Sequence, residues 1–184
     1  MSLLDMSIVP ENTAVPREPA HYLNEIWQAY FADVPRVNRI EIAYCQPWKR
    51  RLGLIRLSLD NTISFIGLNA LLQLPEVPEY ILITTIAHEL THYAHGFGSP
   101  LPRLHKHPHA NNVVKHELEQ RGLGEIMHLC DQWIDSQWFS FYDREYESGW
   151  ARIPTVYHPI RGPRKTQSQS DESWRGSGHS QKYP

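Results

Sequence analysis

Apolar residues recur every three or four positions in four stretches of the chain, which is the spacing that places them on one face of a helix. Pro35 follows the first stretch, Gly96 the second and Gly122 the third. Proline and glycine commonly stop helices, so these residues help to set the helix ends. The pattern predicts helices over residues 19–32, 79–95, 111–120 and 125–147.

Three shorter stretches between the first two predicted helices show the alternation that is typical of strands. They cover residues 37–44, 52–59 and 62–68, and Asp60-Asn61 provides a turn signal between the last two. We expect them to form a small three-stranded sheet, antiparallel or arranged as a meander. Together with the helices, this sheet predicts an α+β fold.

The two ends of the chain differ in composition from its middle. Residues 1–18 contain Pro10 and Pro16 and little periodicity, which predicts an extended lead-in. Residues 151–184 are rich in Arg, Ser, Gln, Gly and Pro, which predicts a flexible, disordered tail. A single domain is therefore expected over residues 19–150. The first residues lack the basic head and apolar core of a secretory signal, and the chain contains no apolar run of about twenty residues.

Composition narrows the chemistry further. The formal net charge of the 184 residues is −2, so the chain as a whole has no polyanion-binding signature. The two cysteines, Cys45 and Cys130, lie far apart, which argues against a disulfide scaffold or a cysteine-ligated zinc ribbon and favours a reducing cytoplasm. The distribution of histidine is unusual, because seven of the eleven histidines fall between His88 and His116. Such clustering is a first indication of metal chemistry.

The sequence His88-Glu89-Leu90-Thr91-His92 lies within the strongly apolar second helix. Residues i and i+4 share one helix face, so the two imidazoles can bind one zinc ion. Glu89 can then take a proton from water that the metal activates. The alternative is a hydrogen-bonded polar stripe on a core helix, but burying these three residues without partners would be costly.

A catalytic zinc site needs a third protein ligand and an open fourth position. The histidine candidates are His105, His107 and His109 in the loop, and the carboxylate candidates are Glu117 and Glu119 on the next helix. We favour His109, because it stands at the entrance to a predicted helix that can pack across the first. His95, three residues after His92, is better suited to a structural role.

These residues resemble the SprT-like domain, the zincin-type metallopeptidase fold of bacterial SprT proteins and Spartan proteases. The resemblance rests on "RRLGLIRLS", "FIGLNALL" and "ILITTIAHELTHYAHG", followed by the loop "HANNVVKHEL" with His109 and Val113, and it spans about residues 19–143. It implies a zincin-like arrangement in which the HExxH helix packs beside the small sheet. It also implies that His88, His92 and His109 bind zinc and that Glu89 is the general base. Ala110 stands where the family usually has glycine, and the C-terminal zinc ribbon of many members is missing.

The expected function is zinc-dependent hydrolysis of peptide bonds in protein substrates in the cytoplasm, without a membrane partner. One alternative is a zinc-binding interaction domain without peptidase activity, and another is a regulatory protease similar to the ImmA/IrrE proteins. Residues 48–51 and Arg56 form a basic patch that could contact DNA weakly, although a charged strand edge explains it more simply.

Overall fold

The structure is a computed structural model that describes residues 17–150, 152 and 153. Its strands are β1 (Arg39–Tyr44), β2 (Gly53–Leu57) and β3 (Ile63–Leu68), and its helices are α1 (Pro19–Tyr30), α2 (Glu79–Ala94), α3 (Val113–Gln120), α4 (Gly124–Trp133) and α5 (Phe139–Glu147). A π-helical turn, Ile134–Trp138, joins α4 to α5, so these two form one interrupted long helix. The predicted α+β class is confirmed, with four helices and one three-stranded sheet.

The strand order corrects the expectation of an antiparallel sheet or meander. Strand β3 lies in the centre, with β1 parallel to it on one side and β2 antiparallel on the other. Five of the six residues of β3 are buried, whereas β1 and β2 are partly exposed along their length. The most continuously apolar strand therefore takes the central position, where both of its faces can be covered.

Helix α2 runs through the middle of the domain. Twelve of its sixteen residues are buried, and it packs against α1, the sheet, α3 and α4. Its threonines are accommodated because each hydroxyl donates to a carbonyl one turn earlier, as Thr85 does to Ile81 at 2.7 Å. The polar side chains of α2 that remain are those of the HExxH sequence and Glu79 at the start.

Two arginines attach the ends of the described chain to the domain. The Arg17 guanidinium donates to the carbonyls of Leu72, Leu74 and Val77 at 2.8, 3.2 and 2.7 Å. Arg152 pairs with the carboxylates of Glu76 and Glu145, and Glu145 is 1% exposed. The folded unit thus extends slightly beyond the predicted residues 19–150.

The remainder of the predicted lead-in and tail, residues 1–16 and 154–184, lies outside the described residues, as does the segment tested for a secretory signal. Within the described ranges, the helices are too short or too polar to cross a membrane.

Candidate metal centre

Helix α2 places His88 and His92 one turn apart on the same face. Their Nε2 atoms are 3.0 Å apart, and the rings are nearly perpendicular, at 86°. Both side chains are buried, at 5% and 6% exposure. Two zinc ligands at about 2.0–2.1 Å in tetrahedral geometry lie roughly 3.3 Å apart, so the two nitrogens are already close to ligand spacing.

His109 completes the cluster from the segment that precedes α3. Its ring centroid lies 5.4 Å from that of His88 and 4.7 Å from that of His92. One nitrogen from each of the three histidines lies within 4.8 Å of the others, and no other group of three potential ligands this close occurs in the part of the chain that the structure describes. The three histidines are therefore close enough to hold a metal ion.

The approach of His109 depends on two left-handed residues. Asn111 has φ 52° and ψ 34°, and Asn112 has φ 56° and ψ 29°. Asparagine tolerates this conformation better than other residues with a Cβ, because its short side chain can bond locally. The predicted helix over 111–120 accordingly begins later, at Val113, and the turn before it directs His109 back towards α2.

The other candidate ligands have different neighbours. The ring of His105 packs against that of His95 at 4.8 Å, and Glu117 pairs with Arg121 at 2.7 Å. His95 caps α2, is buried, and lies 3.7 Å from the second oxygen of Glu117. The remaining candidates also fall outside the cluster: His107 does not belong to the group of close ligand atoms, and Glu119 pairs with His116.

The electrostatics of the cluster suit metal binding. Burial lowers the pKa of His88 well below its ordinary value, and burial with the neighbouring histidines lowers the pKa of His92 to about 3. Burial also lowers the pKa of His109. All three rings are therefore neutral at pH 7, which is the form that binds a metal.

The second nitrogen of His92 departs from the usual pattern of zinc sites. A ligating histidine normally donates its other N–H to a carboxylate, a carbonyl or water. Nδ1 of His92 is buried and has no hydrogen-bond partner among the described residues. No described acceptor therefore fixes the tautomer of this ring. The Nε2 atoms of His88 and His92 form a hydrogen bond with each other.

Glu89 is buried beside the histidines, at 5% exposure. Burial raises the pKa of this carboxyl to about 8, while the positive charge of Arg51 acts in the opposite direction. The backbone of Gly53, at the start of β2, passes so close that a Cβ there would lie 2.7 Å from Glu89 Oε1 and 2.8 Å from Thr85 Cγ2. Glycine is therefore required for β2 to lie against this part of α2.

Sequence reasoning missed both Gly53 and the place of Arg51. A signal for Gly53 was present, because glycine inside a strand often marks the close approach of another group. Arg51 belongs to the basic patch, and its electrostatic effect on Glu89 depends on how the loop before β2 folds.

Comparisons with protein-family profiles, curated proteins and solved structures found no match to this chain. The resemblance to the SprT-like domain thus rests on the sequence motifs, and the case for a function rests on the geometry of the site.

Proposed function

We propose that this protein is a zinc-dependent metallopeptidase of SprT-like type, which hydrolyses peptide bonds in protein substrates. The observation that carries the proposal is the convergence of three neutral imidazoles beside a buried carboxylate. His88, Glu89 and His92 come from one helix, and His109 comes from a separate segment. Three histidine ligands with an open fourth position are a donor set that catalytic zinc sites use.

In this proposal His88, His92 and His109 hold the ion. When bound, zinc supplies a Lewis acid that polarises the scissile carbonyl and makes water a stronger acid. Glu89 accepts the proton of the attacking water and returns it to the departing amine. A group that both accepts and returns a proton works best with a pKa near the working pH. Burial raises the pKa of Glu89 and Arg51 opposes that rise; the positive charge of bound zinc would lower the pKa further, towards the carboxylate form that accepts a proton.

The outer edge of β2 favours a peptide as the substrate. Ser58 N–H bonds to Ile63 O at 2.8 Å and Asn69 N–H to Leu52 O at 2.7 Å, so even-numbered residues from 52 to 58 face β3. In an antiparallel pair, the residues between them point their N–H and C=O groups away from the partner strand. Among the described residues, Gly53, Ile55 and Leu57 thus present an edge without a partner strand, to which an extended peptide can add as a further strand. Gly53, the first residue of this edge, is also the residue that lies against Glu89.

The test compares matched variants for zinc content and for cleavage of an unfolded protein substrate. Glu89→Gln should keep stoichiometric zinc and lose cleavage by about 10²- to 10⁴-fold, which is the usual contribution of a general base. His109→Ala should lose zinc, whereas the control His107→Ala should retain it. Cleavage that survives Glu89→Gln would refute the proposed mechanism.

Zinc bound by the wild-type protein without cleavage of any substrate would favour the interaction domain. Repeating the assay with DNA tests the weak DNA contact proposed for the basic patch, and cleavage restricted to a transcription regulator would favour an ImmA/IrrE-like role. We further propose that the protein acts in the cytoplasm, where its two buried cysteines would remain as free thiols.

A further inference from the structure

A groove with a volume of about 600 Å³ lies between β2 and the loop that follows α2. Two of the residues that line it are cationic, and none is acidic. The lining residues are Ile55, Arg56, Leu57, Asn61, Gly96, Gly98, Ser99, Pro100, Leu101 and Arg103. This local excess of positive charge stands out on a chain whose formal net charge is −2.

The loop wall of the groove is held firmly in place. Gly98 has φ 76° and approaches β2 so closely that a Cβ there would lie 2.8 Å from Ile55 Cγ2. The buried Ser99 hydroxyl donates to Tyr93 O at 2.6 Å, which ties the loop to the last turn of α2. The groove is therefore preformed, so ligand binding costs little free energy for ordering the loop.

Arg103 lies over a ring that neighbours the histidine cluster. Its guanidinium lies 5.2 Å from the Phe97 ring centroid, and that ring lies 6.4 Å from the ring of His92. Among the described residues, neither Arg103 nor Arg56 forms an ion pair with a carboxylate. The Arg103 charge is thus free to meet an anionic group of a ligand, whereas strand alternation directs the Arg56 side chain to the other face of β2, near Cys45.

The groove lies at a defined distance from Glu89 along β2. Strand residues advance by about 3.3 Å each, so Ile55 is roughly 7 Å and Leu57 roughly 13 Å beyond Gly53, which touches Glu89. A peptide added to this edge would therefore reach the groove about two to four residues from the bond that is cleaved.

We infer that this groove is a specificity subsite for an acidic side chain, Asp or Glu, located two to four residues from the scissile bond. The inference rests on the proposed peptidase function and adds the substrate class to it. Arg103 supplies the attraction, and no acidic side chain lines the groove to compete for it.

The test uses a cleaved peptide in which Glu, Gln or Lys replaces each of the four residues on either side of the scissile bond. At one of the predicted positions, Glu should be preferred over Gln by about three- to fivefold in kcat/KM, with Lys the poorest. The preference should shrink at 1 M salt, because partly exposed charges are screened. Arg103→Glu should reverse the preference, so that the Lys peptide is cleaved better than the Glu peptide, whereas Arg56→Gln, on the other face of β2, should leave the preference nearly unchanged. Lys115→Glu makes the same change in net charge on the exposed face of α3 and should leave the preference unaltered.

A binding measurement separates failure of this inference from failure of the proposed function. The zinc-loaded Glu89→Gln variant, with and without Arg103→Glu, is titrated with the Glu and Lys peptides. Cleavage with no charge preference, or a preference that survives Arg103→Glu, would overturn the subsite and leave the peptidase proposal intact. Absence of cleavage together with Arg103-dependent binding of the Glu peptide would overturn the peptidase proposal and support the groove as an acidic-peptide site.

Discussion

Replacing Gly53 by alanine tests how β2 supports the site. The added Cβ would lie 2.7 Å from Glu89 Oε1, 2.8 Å from Thr85 Cγ2 and 3.1 Å from Glu89 Cγ. To restore an ordinary contact of about 3.4 Å, the carboxylate oxygen has to retreat by roughly 0.7 Å. A misplacement of about 1 Å in a catalytic group can cost about 100-fold in rate, so we expect kcat/KM to fall at least about tenfold. The crowding of Thr85, whose backbone belongs to a packed helix, should also lower the free energy of unfolding by about 1–3 kcal/mol.

The measurements are peptide cleavage, zinc content and urea unfolding of the same preparations. Zinc content should not change, because the added Cβ would crowd Glu89 and Thr85 and not the three histidines. Gly124→Ala is the matched control: a Cβ there would lie 3.6 Å from its nearest neighbour, and alanine within a helix is favoured over glycine by about 0.5–1 kcal/mol. A Gly53→Ala protein with wild-type kcat/KM and stability would refute the close approach of β2 to Glu89.

Three further predictions follow from the same geometry. Removal of zinc by a chelator should lower stability, and restoring free zinc to a hundredfold excess over its dissociation constant should return about 2.7 kcal/mol, measured by urea unfolding. Asn112→Val should weaken zinc affinity in a competition assay, since a β-branched residue is strained at φ 56°, whereas Asn112→Gly should retain affinity; equal affinity in both would argue against a role for this turn in placing His109. Hydrogen bonding to Arg121 lowers the pKa of Asp33 in the folded protein, so the stability that Asp33 contributes is complete above its unfolded pKa of about 3.9 and disappears as the pH falls through the depressed value. Asp33→Asn should therefore be less stable than wild type at pH 6, and the difference in stability should shrink as the pH falls below about 3.9; a difference that stays constant down to acid unfolding would contradict the pairing.

Much of the element pattern could be predicted because local signals decide it. Helices α1 and α2 begin at Pro19 and Glu79, as the sequence indicated, and the three strands lie within the predicted stretches. The position of His109 was also accessible, since a loop histidine just before a helix is well placed to reach a neighbouring helix. Structure was needed to separate it from His105 and His107, because only tertiary packing turns one of the three towards α2.

Other features depend on interactions between distant segments. The central position of β3 follows from its burial, and the near-continuous apolar run in Ile63–Leu68 was the available signal for that. The parallel direction of β1 beside it has no such local signal. The π-helical turn Ile134–Trp138 interrupts a helix whose apolar spacing looked regular. There the buried indole of Trp138 donates to Lys49 O at 2.9 Å, a contact 89 residues away in sequence. Local periodicity carries no information about such a partner.

The pairing of Arg152 with Glu145 has a practical consequence for anyone shortening this protein. A chain cut after residue 150, where the composition changes, would keep the buried Glu145 carboxylate but leave it only Arg144 at 3.4 Å as a cation. Leaving a buried charge without its partner costs about 3–5 kcal/mol, a large part of the stability of an ordinary domain. A recombinant fragment should accordingly be trimmed no closer than Arg17 at one end and Arg152 at the other.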